Sequence, residues 1–241
     1  MIPRRTVFTV ALVGADGAGK STIGRRLTSS LSFPTKYLYM GDNLTTANKM
    51  LPTTRLLWWI RRARGITPKS GPPTARPEER AARPPAGIGS FVKTTLRLMN
   101  RLAEEYYRVG LAWLYQLRGH VVVFDRHYFA DYYVCDIAGN GSAQSWNRRV
   151  HGLILDRFFP RPDLVVCLDA PADVLYARKP EGTVEALEMR RQEYFRIRDV
   201  VERFVVIDAS SDADQVAREV SAAIEDYRHG RVPRENGKKV E

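Results

Sequence analysis

Two short stretches carry residue types whose spacing can do chemistry. The first is Gly14-Ala15-Asp16-Gly17-Ala18-Gly19-Lys20-Ser21. It fits G-x-x-x-x-G-K-[ST], a loop in which successive backbone N–H groups converge on phosphate. Gly14, Gly17 and Gly19 permit the bends this needs. A helix starting near Lys20 adds the positive end of its dipole. Lys20 can reach the β- and γ-phosphates of a nucleotide, and Ser21 can ligate Mg²⁺.

The second stretch is His120-Val121-Val122-Val123-Phe124-Asp125-Arg126-His127. Four apolar β-formers run directly into a carboxylate and a guanidinium, at the strand end where parallel sheets hold ligands. Asp125 can hold Mg²⁺, directly or through water, or take a proton from an acceptor hydroxyl. Arg126 offers a planar fork suited to phosphate. The plainer reading is an Asp125–Arg126 ion pair capping the next helix. His127 reads as structural. Asp42 and Asn43, at the end of the second predicted strand, are either acceptor ligands or ordinary turn residues.

The elements that must position these residues alternate. Val7–Val13 is a short, β-rich apolar run before the glycine loop, and Ile23, Leu27 and Leu31 recur at helical spacing after it. Lys36–Met40 is a second strand. Residues 44–63 read as helix, with Pro52 starting or kinking a turn. A long helix is predicted over Gly89 to Arg118, stopped by Gly119. Shorter helical patterns cover about 128–138 and 144–158. Strands at Arg161–Asp169 and Arg203–Asp208 follow, with a basic turn at 177–183, a charged helix behind it, and a last helix over 212–227. Strand and helix in alternation predict a three-layer α/β/α sandwich on a five-stranded parallel sheet. One domain is expected over 1–228, with a polar, disordered tail over 229–241.

The formal charge of +11 suits anionic substrates, nucleic acid or an anionic membrane surface, and does not choose among them. Between Arg55 and Arg83 eight basic residues face only Glu78 and Glu79, so over half of that excess lies in one segment. Six prolines between Pro68 and Pro85 mark residues 64–88 as an insertion rather than a packed element. Leu56-Leu57-Trp58-Trp59-Ile60, followed by arginines, has two readings. It packs its Trp pair on the domain ahead of a solvated loop, the reading that suits so short an apolar run. Alternatively, 55–83 makes peripheral contact with an anionic surface. No specific nucleic-acid recognition is expected. No apolar run is long enough to span a membrane. Met1-Ile2-Pro3-Arg4-Arg5 leads straight into the first strand, leaving no room for a signal peptide. Cys135 and Cys167 lack metal-ligand spacing and read as buried thiols in a cytoplasmic protein.

In this order the motifs resemble the thymidylate kinase family of P-loop nucleotide kinases, from the first strand to the last helix. Gly14 to Thr22 resembles the family's phosphate loop, with Asp16 at its acidic position. Asp125-Arg126-His127 resembles its Asp-Arg-aromatic signature, and Arg161-Pro162-Asp163-Leu164 through Leu168-Asp169-Ala170-Pro171 its Pro-Asp-Leu strand. Ala177-Arg178-Lys179 resembles its lid.

The resemblance implies ATP-dependent, Mg²⁺-assisted phosphoryl transfer to a small acceptor, with Lys20, Asp125, Arg126 and Arg178 catalytic. Gly14, Asp16, Gly17, Ala18, Gly19, Lys20, Ser21 and Thr22 would hold ATP phosphates, and Ala209 and Ser210 adenine. Ser21 and Asp125 would hold Mg²⁺. Asp16, Asp42, Asn43, Arg101, Arg108 and Arg126 would face the acceptor. Arg190 or Arg191 would join Arg178 over the transferring group, and a homodimer remains open. Val13 stands where the family has Glu, Met40-Gly41-Asp42-Asn43 replaces its Arg-Glu-Pro-Gly-Gly, and Tyr128–Tyr133 replaces its thymine-holding Ser and Tyr-Gln. A nucleoside monophosphate and a sugar or other alcohol therefore both stay open as acceptor, as does a nucleotide-responsive protein that docks on membrane or nucleic acid.

Overall fold

Alternate residues along each central strand point to opposite faces, and in this chain both sets are apolar. A strand apolar on both faces must be covered on both, the signature of a parallel sheet between helical layers. The computed structural model describes residues 6–41, 50–63, 88–133, 137 and 146–231. Asp42, Asn43, Cys135, nearly all of the 64–88 insertion and the tail from 232 lie outside these residues.

The five strands are β1 (Thr9–Val13), β2 (Thr35–Tyr39), β3 (Val121–Asp125), β4 (Leu164–Asp169) and β5 (Phe204–Asp208). They form one parallel sheet in the order β2-β3-β1-β4-β5. The three-layer expectation is met. On one face Val10, Leu12, Val123 and Val166 pack with Ile23 and Leu27 of α1 (Lys20–Ser30) and with Val216, Val220 and Ile224 of α8 (Ala213–Arg228). On the other, Ala11, Val13, Val122 and Val165 pack with Val109 and Ala112 of α3 (Ile88–Leu117), Phe129 of α4 (Tyr128–Tyr132) and Leu155 of α5 (Trp146–Phe158). The remaining helices are α2 (Pro52–Ala63), α6 (Ala172–Arg178) and α7 (Val184–Phe195), the last followed by a 3-10 turn at Arg196–Val200.

Pro52 starts α2 rather than kinking a longer helix, which suits a residue with no N–H to donate. Gly119 ends α3 with φ 79°, as predicted for a glycine stop. Of the helix predicted over 128–138, α4 covers Tyr128–Tyr132 and Tyr133 and Ile137 are π-helical, while 134–136 and 138 lie outside the described residues. Cys167 is a buried free thiol whose pKa burial raises to about 12.

Chain order on either side of β1 reverses, since β3 lies on one flank and β4 on the other. Such a switch point opens a crevice at the carboxyl ends of the strands. The glycine loop leaves β1 there, and register brings Asp125 level with Leu12 and Tyr39.

Candidate active site

The loop is built as its glycines require. Gly14, Gly17 and Gly19 have φ of 141°, 91° and 84°. A Cβ on Gly14 would lie 2.3 Å from the Leu168 carbonyl oxygen, and one on Gly17 would lie 2.5 Å from that of Leu175. The loop is thus pressed against the end of β4 and against α6, with no room for side chains at its closest approaches. Lys20 opens α1 and is buried. Its Nζ donates to the carbonyl oxygens of Gly14 (2.7 Å) and Ala15 (2.8 Å). Burial and the nearby Arg126 charge lower its pKa from the usual 10.5 to about 8, against the pull of Asp16 and Asp125.

Asp125 is fully buried at the end of β3. Its Oδ2 accepts from Ser21 Oγ (2.5 Å) and from Tyr37 Oη (2.6 Å), while Oδ1 has no partner among the described residues. Burial and the Asp125 carboxylate push the Tyr37 hydroxyl well above its usual range, so it stays a donor. Ser21 and Asp125, 104 residues apart in the chain, therefore meet as a pair of hard oxygen donors with one carboxylate lone-pair set unused. That is the donor chemistry of Mg²⁺, which takes one or two carboxylate or hydroxyl ligands and completes its shell with phosphate and water.

Arg126 does not pair with Asp125. It leaves the strand with φ 68°, the one described non-glycine residue in the left-handed region. Its guanidinium donates to Asp16 in the glycine loop. Left-handed backbone at a residue that carries a Cβ costs roughly 1 kcal/mol or more, so such strain points to a position held for its side chain. Burial opposes the Arg126 charge, but Asp131, Tyr194 and Asp16 hold it protonated. Burial alone raises the Asp16 carboxyl; the charges of Arg126, Lys20 and Lys179 outweigh it and hold the pKa down at about 2. Loop and strand end thus present Lys20, Asp16 and Arg126 as one alternating charge cluster.

Gly41, just before Asp42 and Asn43, lies against Arg126: an added Cβ would sit 2.8 Å from Arg126 Cδ. Its carbonyl accepts from Arg108 (3.0 Å), which is fully buried on α3 and also reaches Glu104 (3.0 Å) and the Tyr128 hydroxyl. Arg108 is therefore tied among protein groups, as a brace under this edge of the crevice. Arg101 lies over the Tyr132 ring at 4.1 Å and donates to Glu105, whose carboxylate also meets His151 (3.0 Å). His127 is buried between the Phe124 and Phe159 rings, as a structural residue should be, and burial lowers its pKa to about 4.

On the other flank, Arg178 ends α6 and donates to the carbonyls of Ala209 (2.6 Å) and Ser210 (3.0 Å). Arg191 grips both oxygens of Asp169, at 2.7 Å each. Thr22 is exposed on α1, whereas Ala18 is buried in the loop. Sequence reading passed over Asp131, which accepts from the Tyr194 hydroxyl (2.7 Å) and lies 3.9 Å from Arg190. It also passed over Tyr37, Glu104 and Tyr128. Asp131 had one signal available, a lone carboxylate in the aromatic run six residues past Asp125. Tyr37 had none, because the β2–β3 register cannot be read from local sequence.

A phosphate loop at the switch point of a 2-3-1-4-5 parallel sheet, with flanking helices, is the fold of the P-loop kinases. Two deoxyadenosine kinase structures from M. mycoides share it. One, with dATP bound, superposes with a TM-score of 0.53 at 13% identity over 90% of this chain and 99% of that one. The other, with dCMP and dCDP, gives 0.50 at 14% identity over 91% and 99%.

Within that class, the chain is a distant homologue of the thymidylate kinases over most of its length. It is 26% identical to thymidylate kinase of Xanthomonas oryzae pv. oryzae over 234 residues, 89% of this chain and 82% of the relative. Identity to the Xanthomonas euvesicatoria pv. vesicatoria enzyme is 28% over 229 residues, with the same coverage. Probable thymidylate kinase 1 of Saccharolobus solfataricus matches at 26% over 124 residues, 48% of this chain and 61% of its own length, under two thirds. No protein-family model matches the chain. No described helix is long and apolar enough to cross a membrane.

Proposed function

We propose that this protein transfers the γ-phosphoryl group of ATP to the phosphate of a nucleoside monophosphate, most simply dTMP. The observation that carries the proposal is the meeting of Ser21 with Asp125 under the glycine loop, with Arg126 held in strained backbone beside Asp16.

In this reading the loop N–H groups and Lys20 hold the β- and γ-phosphates of ATP, and Lys20 leaves the Gly14 and Ala15 carbonyls to do so. Arg178 frames the Ala209–Ser210 edge, where adenine would lie. Ser21 and Asp125 would hold Mg²⁺, which supplies charge neutralisation on the phosphates when bound. Arg126 grips the acceptor phosphate through its fork, and Asp16 turns to the acceptor sugar hydroxyl. Asp42 and Asn43, next after Gly41 in the sequence, would face the acceptor, and Arg108 braces Gly41 through its carbonyl. Arg101 would act from beside Tyr132.

An acceptor phosphate oxygen attacks the γ-phosphorus. The bond from that phosphorus to the bridging oxygen breaks, and ADP leaves. Positioning and charge neutralisation account for most of the rate in such transfers. Arg178 would close over the moving charge, joined by Arg191, freed from Asp169, or by Arg190, freed from Asp131.

The test is ATP consumption with Mg²⁺ against dTMP, the other nucleoside monophosphates, nucleosides, sugars and sugar phosphates. Formation of ADP with a nucleoside diphosphate is expected. Turnover with alcohols alone, or with no monophosphate, overturns the reading.

A further inference from the structure

We propose that Tyr37 is a positioning residue for a divalent metal. Its hydroxyl, together with that of Ser21, fixes the Asp125 carboxylate so that Oδ1 is the oxygen left for Mg²⁺ or its water. The role rests on Ser21 and Asp125 being the metal pair of the proposed function, and deepens that reading. Tyr37 lies in β2 opposite Val123 of β3, whereas Asp125 lies opposite Tyr39. Two residues of a parallel strand span roughly 6–7 Å, so only a long side chain reaches from Tyr37 forward to Asp125. The ring makes that reach along α1. A Cβ added at Gly24 would lie 2.8 Å from Tyr37 Cε2, 3.0 Å from its Cδ2 and 3.3 Å from Leu12 Cδ1. Gly24 is buried inside α1 and has no positive φ, so no turn requires it. Glycine within a helix is unfavourable relative to alanine. What its missing side chain leaves is room for the Tyr37 ring.

Both bonds to the carboxylate fall on one oxygen. Tyr37 Oη donates to Oδ2 at 2.6 Å and Ser21 Oγ at 2.5 Å. Two O–H donors occupy the lone pairs of that oxygen. Oδ1 is buried and has no partner among the described residues. Donors from two different elements, α1 and β2, hold the carboxylate against rotation about its Cβ–Cγ bond, which one donor alone does not. Ser21 must also offer its oxygen to the metal, so Tyr37 is the donor with no second duty. Removing the partner that orients a metal ligand typically costs about 10–100-fold in metal affinity. A tyrosine that only satisfied a buried carboxylate would affect folding and leave the metal alone.

The experiment is calorimetric titration of the full chain with ATP and no acceptor, once in excess Mg²⁺ and once in EDTA. The ratio of the two Kd values is the gain that the metal brings, and the parent should show one. Tyr37→Phe should cut that gain about tenfold, or to nothing where the parent's gain is smaller, with ATP binding in EDTA held within about twofold. Gly24→Ala, which displaces the ring while favouring the helix, should lower the gain in the same direction without lowering the melting temperature. A gain in Tyr37→Phe equal to or larger than the parent's overturns the proposal. Equal weakening of ATP with and without metal does so too, since that is a role in folding alone. A full gain kept in Gly24→Ala overturns the part assigned to ring placement. No gain in the parent itself overturns the metal pair, and the role of Tyr37 with it, so the two failures are told apart.

Discussion

Lys20 offers a test of the loop that needs no substrate. The free protein buries its ammonium group against two backbone carbonyls, and the pKa falls from 10.5 to about 8. At 1.36 kcal/mol per pH unit, that interval corresponds to about 3 kcal/mol by which folding disfavours the charged lysine. Below pH 8 the group is charged in folded and unfolded chains alike, and the penalty is fully present. Between about 8 and 10.5 the unfolded chain keeps a proton that the folded chain has lost, so stability rises with pH. Lys20→Met has no such proton. Parent minus variant stability should therefore rise by roughly 2–3 kcal/mol from pH 7 to pH 10. For a chain of this size that is a relative shift in Tm of roughly 5–10 °C. Urea unfolding of both proteins at pH 7, 8, 9 and 10 measures it, with the common titrations cancelling in the difference. A difference flat to within about 0.5 kcal/mol would refute the buried, depressed lysine. Saturating MgATP should abolish the trend, because phosphate beside Lys20 holds its proton on.

Asp125→Asn should lower kcat by about 10²-fold or more and leave the KM for ATP nearly unchanged, since it removes charge where Ser21 and Tyr37 converge. Steady-state kinetics decide it, and an unaltered kcat removes Asp125 from the catalytic set. Arg108→Lys keeps the charge but breaks the fork that joins Gly41, Glu104 and Tyr128. Destabilisation of about 2 kcal/mol or more is expected in urea unfolding. The KM for the acceptor should rise while that for ATP does not, because Gly41 abuts Arg126; equal rises in both would refute the brace.

How much of this was legible in the sequence depends on the range of the interaction concerned. The glycine loop, the strand before it and the helix after it are local, so Gly14 to Ser21 declared the phosphate site at once. Apolar runs ending in Asp125 and Asp169 likewise announced buried parallel strands. The predicted site residues that remained separate in sequence came together only through the sheet. Ser21 meets Asp125 because β3 lies beside β1, and Tyr37 joins them because β2 pairs with β3 in one particular register. The plainer alternative of an Asp125–Arg126 ion pair fails because a left-handed turn at Arg126 sends its side chain to the loop. Arg101 and Arg108 were legible as cations between the apolar positions of a long helix, and only the family resemblance pointed them at the acceptor. That Arg108 serves as a buried brace depends on Gly41, 67 residues away in the chain. Trp59 on α2, expected to pack on the domain, and Val92, Leu96 and Met99 on α3 have the spacing of core positions, and only burial shows them exposed. Local spacing and backbone preference thus determined the class of chemistry and the order of elements. Partner choice among charges, register and the sidedness of each helix were decided by tertiary structure, because they depend on contacts that no stretch of the chain contains by itself.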